Sequence, residues 1–238
     1  MGTDGLMVLE LPQVRAAFRR EGTRGTPSRR TLVLGGRSPK PEWLSSVARG
    51  LEVWAVDSGL DACCNADVVP SRIIGDLDSV SEAGQVWAAG KAIPVDRYPT
   101  EKDDTDFQLA LALSGGKGIL VTGCWGGRFD HAFSNIFSAV GVLERGTRIL
   151  CFADERETLF PLMGSAELQL AFPRPPLALS LLSLTERCRG VTAKNVKWPL
   201  SGATLLQSRP REVSNVLLER EATLSVEEGI LGVYAAFA

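Results

Sequence analysis

The sequence predicts an α/β N-terminal domain with a mostly parallel sheet, followed by a smaller, sandwich-like all-β domain. Three observations predict it. Between residues 31 and 152, short apolar runs that end in Gly or Asp alternate with segments of helical periodicity, the pattern of a parallel α/β sheet. Beyond about residue 155 the helical periodicity stops, and strand-like runs alternate with Gly, Pro and Ser turns. The chain has 238 residues, 45% apolar and 23% charged, which suits a soluble protein of one large or two modest domains. The expected divisions are an N-terminal extension over 1–30, the α/β domain over 31–155 and the β domain over 156–238.

The first 30 residues carry six arginines (Arg15, Arg19, Arg20, Arg24, Arg29, Arg30) and lack the apolar core of a secretory signal. We read them as a short helix followed by a solvated linker. The expected strands of the α/β part are 31–34, 53–56, 72–74, 92–95, 118–122 and 148–152. Phe107, Ala110 and Leu111 share one face of a helix over 105–113. Ala132, Phe133, Ile136, Phe137 and Val140 mark the apolar face of a helix over 129–140. In the β part the expected strands are 158–162, 167–172, 177–184, 190–193, 203–207, 222–227 and 230–237.

Composition excludes several functions. Lys and Arg total 26 against 28 Asp and Glu, a net charge of −2, so a general nucleic-acid binder is not supported. No apolar run is long enough to span a membrane. With a single histidine, His131, a multi-histidine metal site is excluded. His131 itself reads as a structural residue within its helix. Five cysteines without a C-x-x-C pair read as reduced thiols of a cytoplasmic protein.

Acidic residues gather where the expected strands end. Asp57-Ser58-Gly59 follows the second strand, and Gly75-Asp76-Leu77-Asp78-Ser79 the third. The run Lys102-Asp103-Asp104-Thr105-Asp106 opens one helix, and Gly126-Gly127-Arg128-Phe129-Asp130-His131 opens another. In an open α/β sheet this carboxyl edge is where ligands bind. Asp76 and Asp78, two apart on extended backbone, point the same way, and carboxylates so close repel unless a cation lies between them. Hard oxygen ligands of this kind suit Mg²⁺ shared with substrate phosphates. Taken alone, the pair better fits one helix cap and one solvated acid; the three further clusters reverse that preference towards the cation. Capping explains Thr105 or Asp106, though not the whole acidic run. Lys102 is placed to meet a phosphate, and the Gly-Gly-Arg turn before a helix offers backbone amides and Arg128 to an anion. Neither a Walker loop nor a G-x-G-x-x-G turn is present: Ser114-Gly115-Gly116-Lys117-Gly118 has glycine after its lysine.

These four motifs, in this order and spacing, resemble the thiamine pyrophosphokinase family. Val196-Lys197-Trp198-Pro199-Leu200 is similar to that family's lysine–tryptophan segment, and Ser214-Asn215 to its serine–asparagine pair. The resemblance covers roughly residues 31–235. It implies an α/β domain followed by a β-sandwich, in a homodimer whose active site forms at the subunit interface. The implied reaction transfers the β,γ-diphosphate of ATP to the hydroxyethyl group of thiamine, giving thiamine diphosphate and AMP. Carried over residue by residue, Asp57, Asp76, Asp78 and Asp106 would form the Mg²⁺ and catalytic site. Ser79, Lys102, Thr105 and Arg128 would hold ATP, with Asp130 ordering the arginine. Ser214 and Asn215 would contact thiamine, and Trp198 would be either an aromatic neighbour of the ligand or part of the sandwich core. One departure stands out: the family usually has two glycines after the first aspartate, and Ser58 replaces one of them. Residues 1–30 have no counterpart in the resemblance. Two other functions are weighed: a related diphosphokinase acting on another hydroxyalkyl heterocycle such as a pterin, and a non-catalytic nucleotide sensor. Trp198 and Ser214-Asn215 favour thiamine over the first, and the full set of acids argues against the second.

Overall fold

The computed structural model describes residues 6–20, 28–99 and 101–238. The chain divides into two compact units: Ser28–Asp154, and residues 6–20 together with Glu155–Ala238.

The chain opens with a hairpin, β1 (Leu6–Leu11) and β2 (Val14–Arg20), closed by the two-residue turn Pro12-Gln13. This corrects the short helix expected here. The side chains follow a period of two: Val14 and Ala16 are buried, while Arg15 and Arg19 point outward. The linker expected after it lies largely in 21–27, outside the described residues.

The α/β unit follows, as β3 (Arg29–Val33), α1 (Pro41–Ala48), β4 (Glu52–Val56), α2 (Gly59–Asn65), β5 (Arg72–Ile74), α3 (Glu82–Gly90), β6 (Val95–Asp96), α4 (Asp106–Leu113), β7 (Gly118–Thr122), α5 (Phe129–Glu144) and β8 (Arg148–Ala153). Within it the strands lie in the order β8-β7-β3-β4-β5-β6, and each neighbouring pair is parallel. Strands β3, β4 and β7 are almost continuously buried, and β4 and β7 are mostly apolar, as suits strands covered on both faces. The strand expected over 92–95 shrinks to Val95–Asp96, because the Ile93 N–H still donates to Ala88 O at the end of α3. From β3 the chain steps outward through β4, β5 and β6, then returns to the other side of β3 as β7. The reversal between β3 and β7 opens a crevice at their carboxyl ends, the place where such sheets bind ligands.

The opposite, amino edge of this sheet is closed by a charge network. Glu52 accepts from Arg30 Nη2 at 3.0 Å and from Trp54 Nε1 at 2.9 Å, and also pairs with Lys117. The Arg30 guanidinium lies 3.3 Å from the centroid of the Trp54 ring, a cation–π contact, and donates to Ser114 O. Burial alone would raise the Glu52 carboxyl, but the Lys117, Arg30 and Trp54 donors outweigh it and hold the pKa down at about 2.

The β unit continues with β9 (Glu157–Met163), β10 (Ala166–Ala171), β11 (Ala178–Ser183), β12 (Arg187–Lys194), β13 (Leu200–Leu206), β14 (Glu221–Val226) and β15 (Ile230–Ala236). Six strands run in the order β1-β2-β10-β14-β12-β13, all pairings antiparallel. A second antiparallel group is β11-β15-β9. Alternation places Leu168, Leu170, Ala222, Leu224 and Val226 inward. Phe18, Leu168, Leu224 and Ala193 form one cross-strand row. Phe18 meets Phe160 of β9 edge-on, centroids 6.0 Å apart, and the Cys188 thiol donates to Ile230 O, so the two groups share a core. Among the described residues no helix is long and apolar enough to cross a membrane.

Candidate active site

The crevice is a cleft of about 890 Å³ bounded by the loops after β3, β4, β5 and β7 and by the first turns of α4 and α5. Its floor depends on one close approach. A Cβ on Gly59 would lie 1.9 Å from Val33 O, so only glycine lets the first turn of α2 lie against β3 and leaves Asp57 at the cleft wall. Asp57 closes β4 with its N–H on Ile74 O at 2.8 Å and takes a left-handed backbone, φ 49. Leu77, between Asp76 and Asp78, does the same at φ 67. Non-glycine residues in this region store strain of order 1 kcal/mol, and such positions cluster at functional sites.

Asp57, Asp76 and Asp78 each bring a carboxylate oxygen to within 4.8 Å of the others. Asp78 N–H donates to Asp76 Oδ1 at 3.1 Å, and Ser79 Oγ donates to Asp57 Oδ2 at 2.5 Å. Asp57 Oδ1 is buried with no hydrogen-bond partner among the described residues. The negative charge of Asp76, then its hydrogen bond, burial and the charge of Asp57, push the Asp78 carboxyl above its ordinary range. Crowded carboxylates with an orphaned oxygen fit a hard divalent cation. The α3 cap steadies this loop: Ser81 Oγ donates to Asp61 Oδ1 at 2.5 Å and accepts from Gly84 N–H at 3.1 Å.

Asp106 stands outside that trio. It pairs at 3.3 Å with Lys102 Nζ, four residues earlier in the loop that leads into α4. Burial raises its pKa, and the Lys102 contact opposes the rise. Thr105 caps α4: its hydroxyl accepts from Gln108 N–H at 3.2 Å, and the Gln108 side chain returns the bond to Thr105 N–H at 2.8 Å. At the start of α5, glycines 126 and 127 turn at φ 68 and 64. Asp130 grips the exposed Arg128 through two bonds, at 3.1 and 2.6 Å, which lowers the acid's pKa and raises the arginine's. Arg128 and Lys102 are thus held at the cleft by neighbouring acids, and the Arg128 side chain stays exposed.

All the expected residues of the α/β part, including Ser79 and Thr105, line this one cleft. Several that the sequence reading missed join them: Gly35-Gly36, Cys124, Ser134 and Asn135. A Gly-Gly pair directly after the first strand was the available signal. His131 also lines the cleft, is exposed and makes no side-chain hydrogen bond among the described residues, so it is not the structural residue expected. The apolar face expected for α5 is corrected too. Its buried residues are Ala139, Val140, Val142 and Leu143, whereas Phe129 is 80% and Phe133 53% exposed. The amino-terminal turns of α5 border the cleft, and Phe129, Phe133 and Phe137 stack on one another instead of on the sheet, with successive centroids 6.0 and 4.6 Å apart.

In the β unit, Trp198 is 52% exposed and so is not core. Lys197 Nζ lies 4.8 Å from its ring centroid. Ser214 is exposed, at φ 59, while Asn215 is buried.

Cation-assisted phosphoryl transfer is the chemistry that a cleft of this composition suits at the reversal point of a parallel sheet, and it makes the chain an α/β phosphotransferase by class. Comparison with known proteins agrees. The family profile described as "Thiamin pyrophosphokinase, catalytic domain" matches residues 50–151, and "Thiamin pyrophosphokinase, vitamin B1 binding domain" matches residues 169–231. The chain belongs to the thiamin pyrophosphokinase family. The thiamine pyrophosphokinase of Bacillus subtilis is 28% identical over 206 residues, 84% of this chain and 94% of that one. The fold resembles the crystal structure of a thiamine pyrophosphokinase from Bacillus subtilis, with TM-score 0.77 and 24% identity over 89% of this chain and 100% of that one. It also resembles that of yeast thiamin pyrophosphokinase, with TM-score 0.72 and 15% identity over 90% of this chain and 88% of that one.

Proposed function

We propose that the protein is a thiamine diphosphokinase, transferring the β,γ-diphosphate of ATP to the hydroxyethyl oxygen of thiamine and releasing AMP. The observation that carries the reading is the Asp57, Asp76 and Asp78 cluster, which lies inside the span of the catalytic profile and in one cleft with Lys102 and Arg128.

The chemistry divides among these residues. Asp57, Asp76 and Asp78 would hold Mg²⁺, which when bound neutralises phosphate charge. Lys102 and Arg128 draw the triphosphate into the cleft and align its β-phosphorus, with Asp130 fixing the arginine fork. Ser79 steadies Asp57 through its hydroxyl, and Thr105 steadies the start of α4. The thiamine hydroxyl attacks the β-phosphorus, the bond to the α-phosphate oxygen breaks, AMP leaves, and the hydroxyl proton passes to a carboxylate of the Asp57, Asp76, Asp78 and Asp106 set. Trp198 and the Ser214-Asn215 segment, inside the span of the B1-binding profile, supply the surface that receives the thiamine rings. A homodimer in the cytoplasm completes the proposal, supported by the resemblance alone and tested by sedimentation of the purified protein.

The deciding experiment measures AMP release from ATP and Mg²⁺, with and without thiamine. Thiamine-dependent AMP and thiamine diphosphate in equal amounts are expected. AMP formed only with a different hydroxyalkyl heterocycle would replace the acceptor; tight ATP binding without AMP from any acceptor would overturn the enzymatic reading.

A further inference from the structure

Asn215 does not offer its amide to the outside. The residue is 7% exposed. Its Oδ1 accepts from Trp198 N–H at 3.1 Å and from Val216 N–H at 2.9 Å, and its Nδ2 donates to Trp198 O at 2.8 Å. An amide side chain has two donor hydrogens and two acceptor lone pairs, so three of its four bonding positions are already used. Its main chain is committed as well, exchanging bonds with Leu179 at 2.7 and 2.9 Å. Two of the side-chain bonds clasp both polar edges of a single residue, Trp198. The neighbouring backbone continues the grip, with Lys197 N–H donating to Val216 O at 2.8 Å.

The clasp matters because Trp198 lacks the usual means of fixing an indole. The residue is 52% exposed, and the next segment begins with Pro199, which has no N–H to donate. A half-exposed ring on an unpinned loop would sample several orientations, and a ligand would have to order it on binding. Ser214 is the opposite case. It is exposed, its N–H is held by Ser180 Oγ at 3.0 Å, and its hydroxyl makes no hydrogen bond among the described residues.

We infer that Asn215 is a positioning residue, which sets the Trp198 ring by clasping the backbone on either side of it, and that Ser214 is the member of the pair that meets the ligand. This rests on the reading of the β unit as the thiamine-binding part.

A double-mutant cycle on the full-length protein tests it, with KM for thiamine, KM for ATP and kcat taken from AMP release and the thiamine Kd from calorimetry. Loss of an aromatic platform in W198A should raise the thiamine KM and Kd about ten-fold. N215A should raise them to a similar extent while the ATP KM stays put. In the W198A background N215A should add almost nothing, because its effect runs through the ring. S214A should raise the thiamine KM in both backgrounds. N215D keeps both acceptor bonds but sets a carboxylate oxygen against Trp198 O, so it should lose part of the affinity where Trp198 is present and almost nothing in the W198A background. Equal fold-losses from N215A with and without Trp198 would make Asn215 a direct ligand and overturn the inference. A thiamine KM and Kd unmoved by W198A would instead overturn the reading of this surface as the thiamine site, and the inference with it. Should N215A fail to fold, N215D takes its place in the same cycle, with a smaller loss expected only where Trp198 is present.

Discussion

Gly35 and Ser58 occupy one space, and exchanging their sizes gives the sharpest test of the cleft's packing. A Cβ built on Gly35 would fall 2.0 Å from Ser58 Oγ and 3.1 Å from Ser58 Cβ; the next neighbour, Gly59 N, is an ordinary 3.5 Å away. Gly35→Ala therefore fails only because Ser58 has a side chain. The serine leads into α2 between two tightly placed neighbours, Asp57 and Gly59, so it has little room to withdraw. Overpacking of this size costs about 2 kcal/mol, within a usual range of roughly 1–3. For a chain of this length that is a fall in Tm of about 4–8 °C. Ser58→Gly alone should cost less than about 1 kcal/mol, the entropy of an added glycine. Combined, the two should recover most of the loss, giving a coupling energy of about 1–2 kcal/mol in a double-mutant cycle. Thermal and urea unfolding read the stabilities, and the KM for ATP reads the cleft. If Gly35→Ala is as stable as the parent, or if the two changes simply add, the shared-space argument is wrong. In this chain, glycine at 35 leaves the room that the Ser58 side chain fills.

Three other outcomes are expected. Asp78→Asn should reduce turnover at least about 100-fold and raise the Mg²⁺ concentration needed, yet leave the Tm in metal-free buffer no lower, since Asp76 and Asp57 repel the lost charge; near-parental turnover in AMP release would remove Asp78 from the site. Glu52→Gln should lower stability at pH 7. A carboxyl moved from 4.5 to about 2 carries up to about 3 kcal/mol, and solvent at a side chain 30% exposed reduces this to about 1–2 kcal/mol. Because the folded pKa is depressed, this stabilisation is complete above 4.5 and is lost as pH falls towards 2, so parent and variant Tm should converge over that window. Thr105→Ala should cost about 1 kcal/mol through loss of the α4 cap, and Thr105→Ser, which keeps the hydroxyl, should restore the Tm; equal losses in both would refute the capping role.

Much of the site was legible because its parts lie where periodic segments end. Once the strands ending at Val56, Ile74 and Thr122 are recognised, topology gathers their trailing residues onto one edge, and Asp57, Asp76, Asp78 and Arg128 follow. What escaped the sequence depends on which surface an element meets. The face of α5 reads as core because Phe133, Ile136 and Phe137 are apolar at helical spacing, but spacing says nothing about what lies opposite; Phe133 is left exposed, and the buried residues gather in the second half of the helix. The N-terminal hairpin was hidden by its arginines, whose number suggested a solvated segment while their alternation with Val14 and Ala16 marked a strand. Asp106 lines the same cleft as the other acids, but its charge gave no clue to its partner, Lys102 in the preceding loop. Asn215 is the clearest case. Its residue type suits a ligand contact, and only the packing of residues 195–198 beside 215–218 shows the amide spent on Trp198.

The two edges of the parallel sheet treat their acids differently. At the amino edge Glu52 is matched by Arg30, Lys117 and Trp54, and its pKa falls. At the carboxyl edge the same fold places Asp76 beside Asp78 and both near Asp57, leaves Asp57 Oδ1 without a hydrogen-bond partner among the described residues, and holds Asp57 and Leu77 in left-handed backbone. Each of these features costs folding free energy. The cleft contains cations that could have relieved the crowding, but Lys102 is turned to Asp106 and Arg128 to Asp130. An arrangement that keeps its positive side chains off its most crowded carboxylates leaves that charge to be neutralised by something that arrives with the substrate. A divalent cation carried on a triphosphate, as proposed above, would meet this requirement.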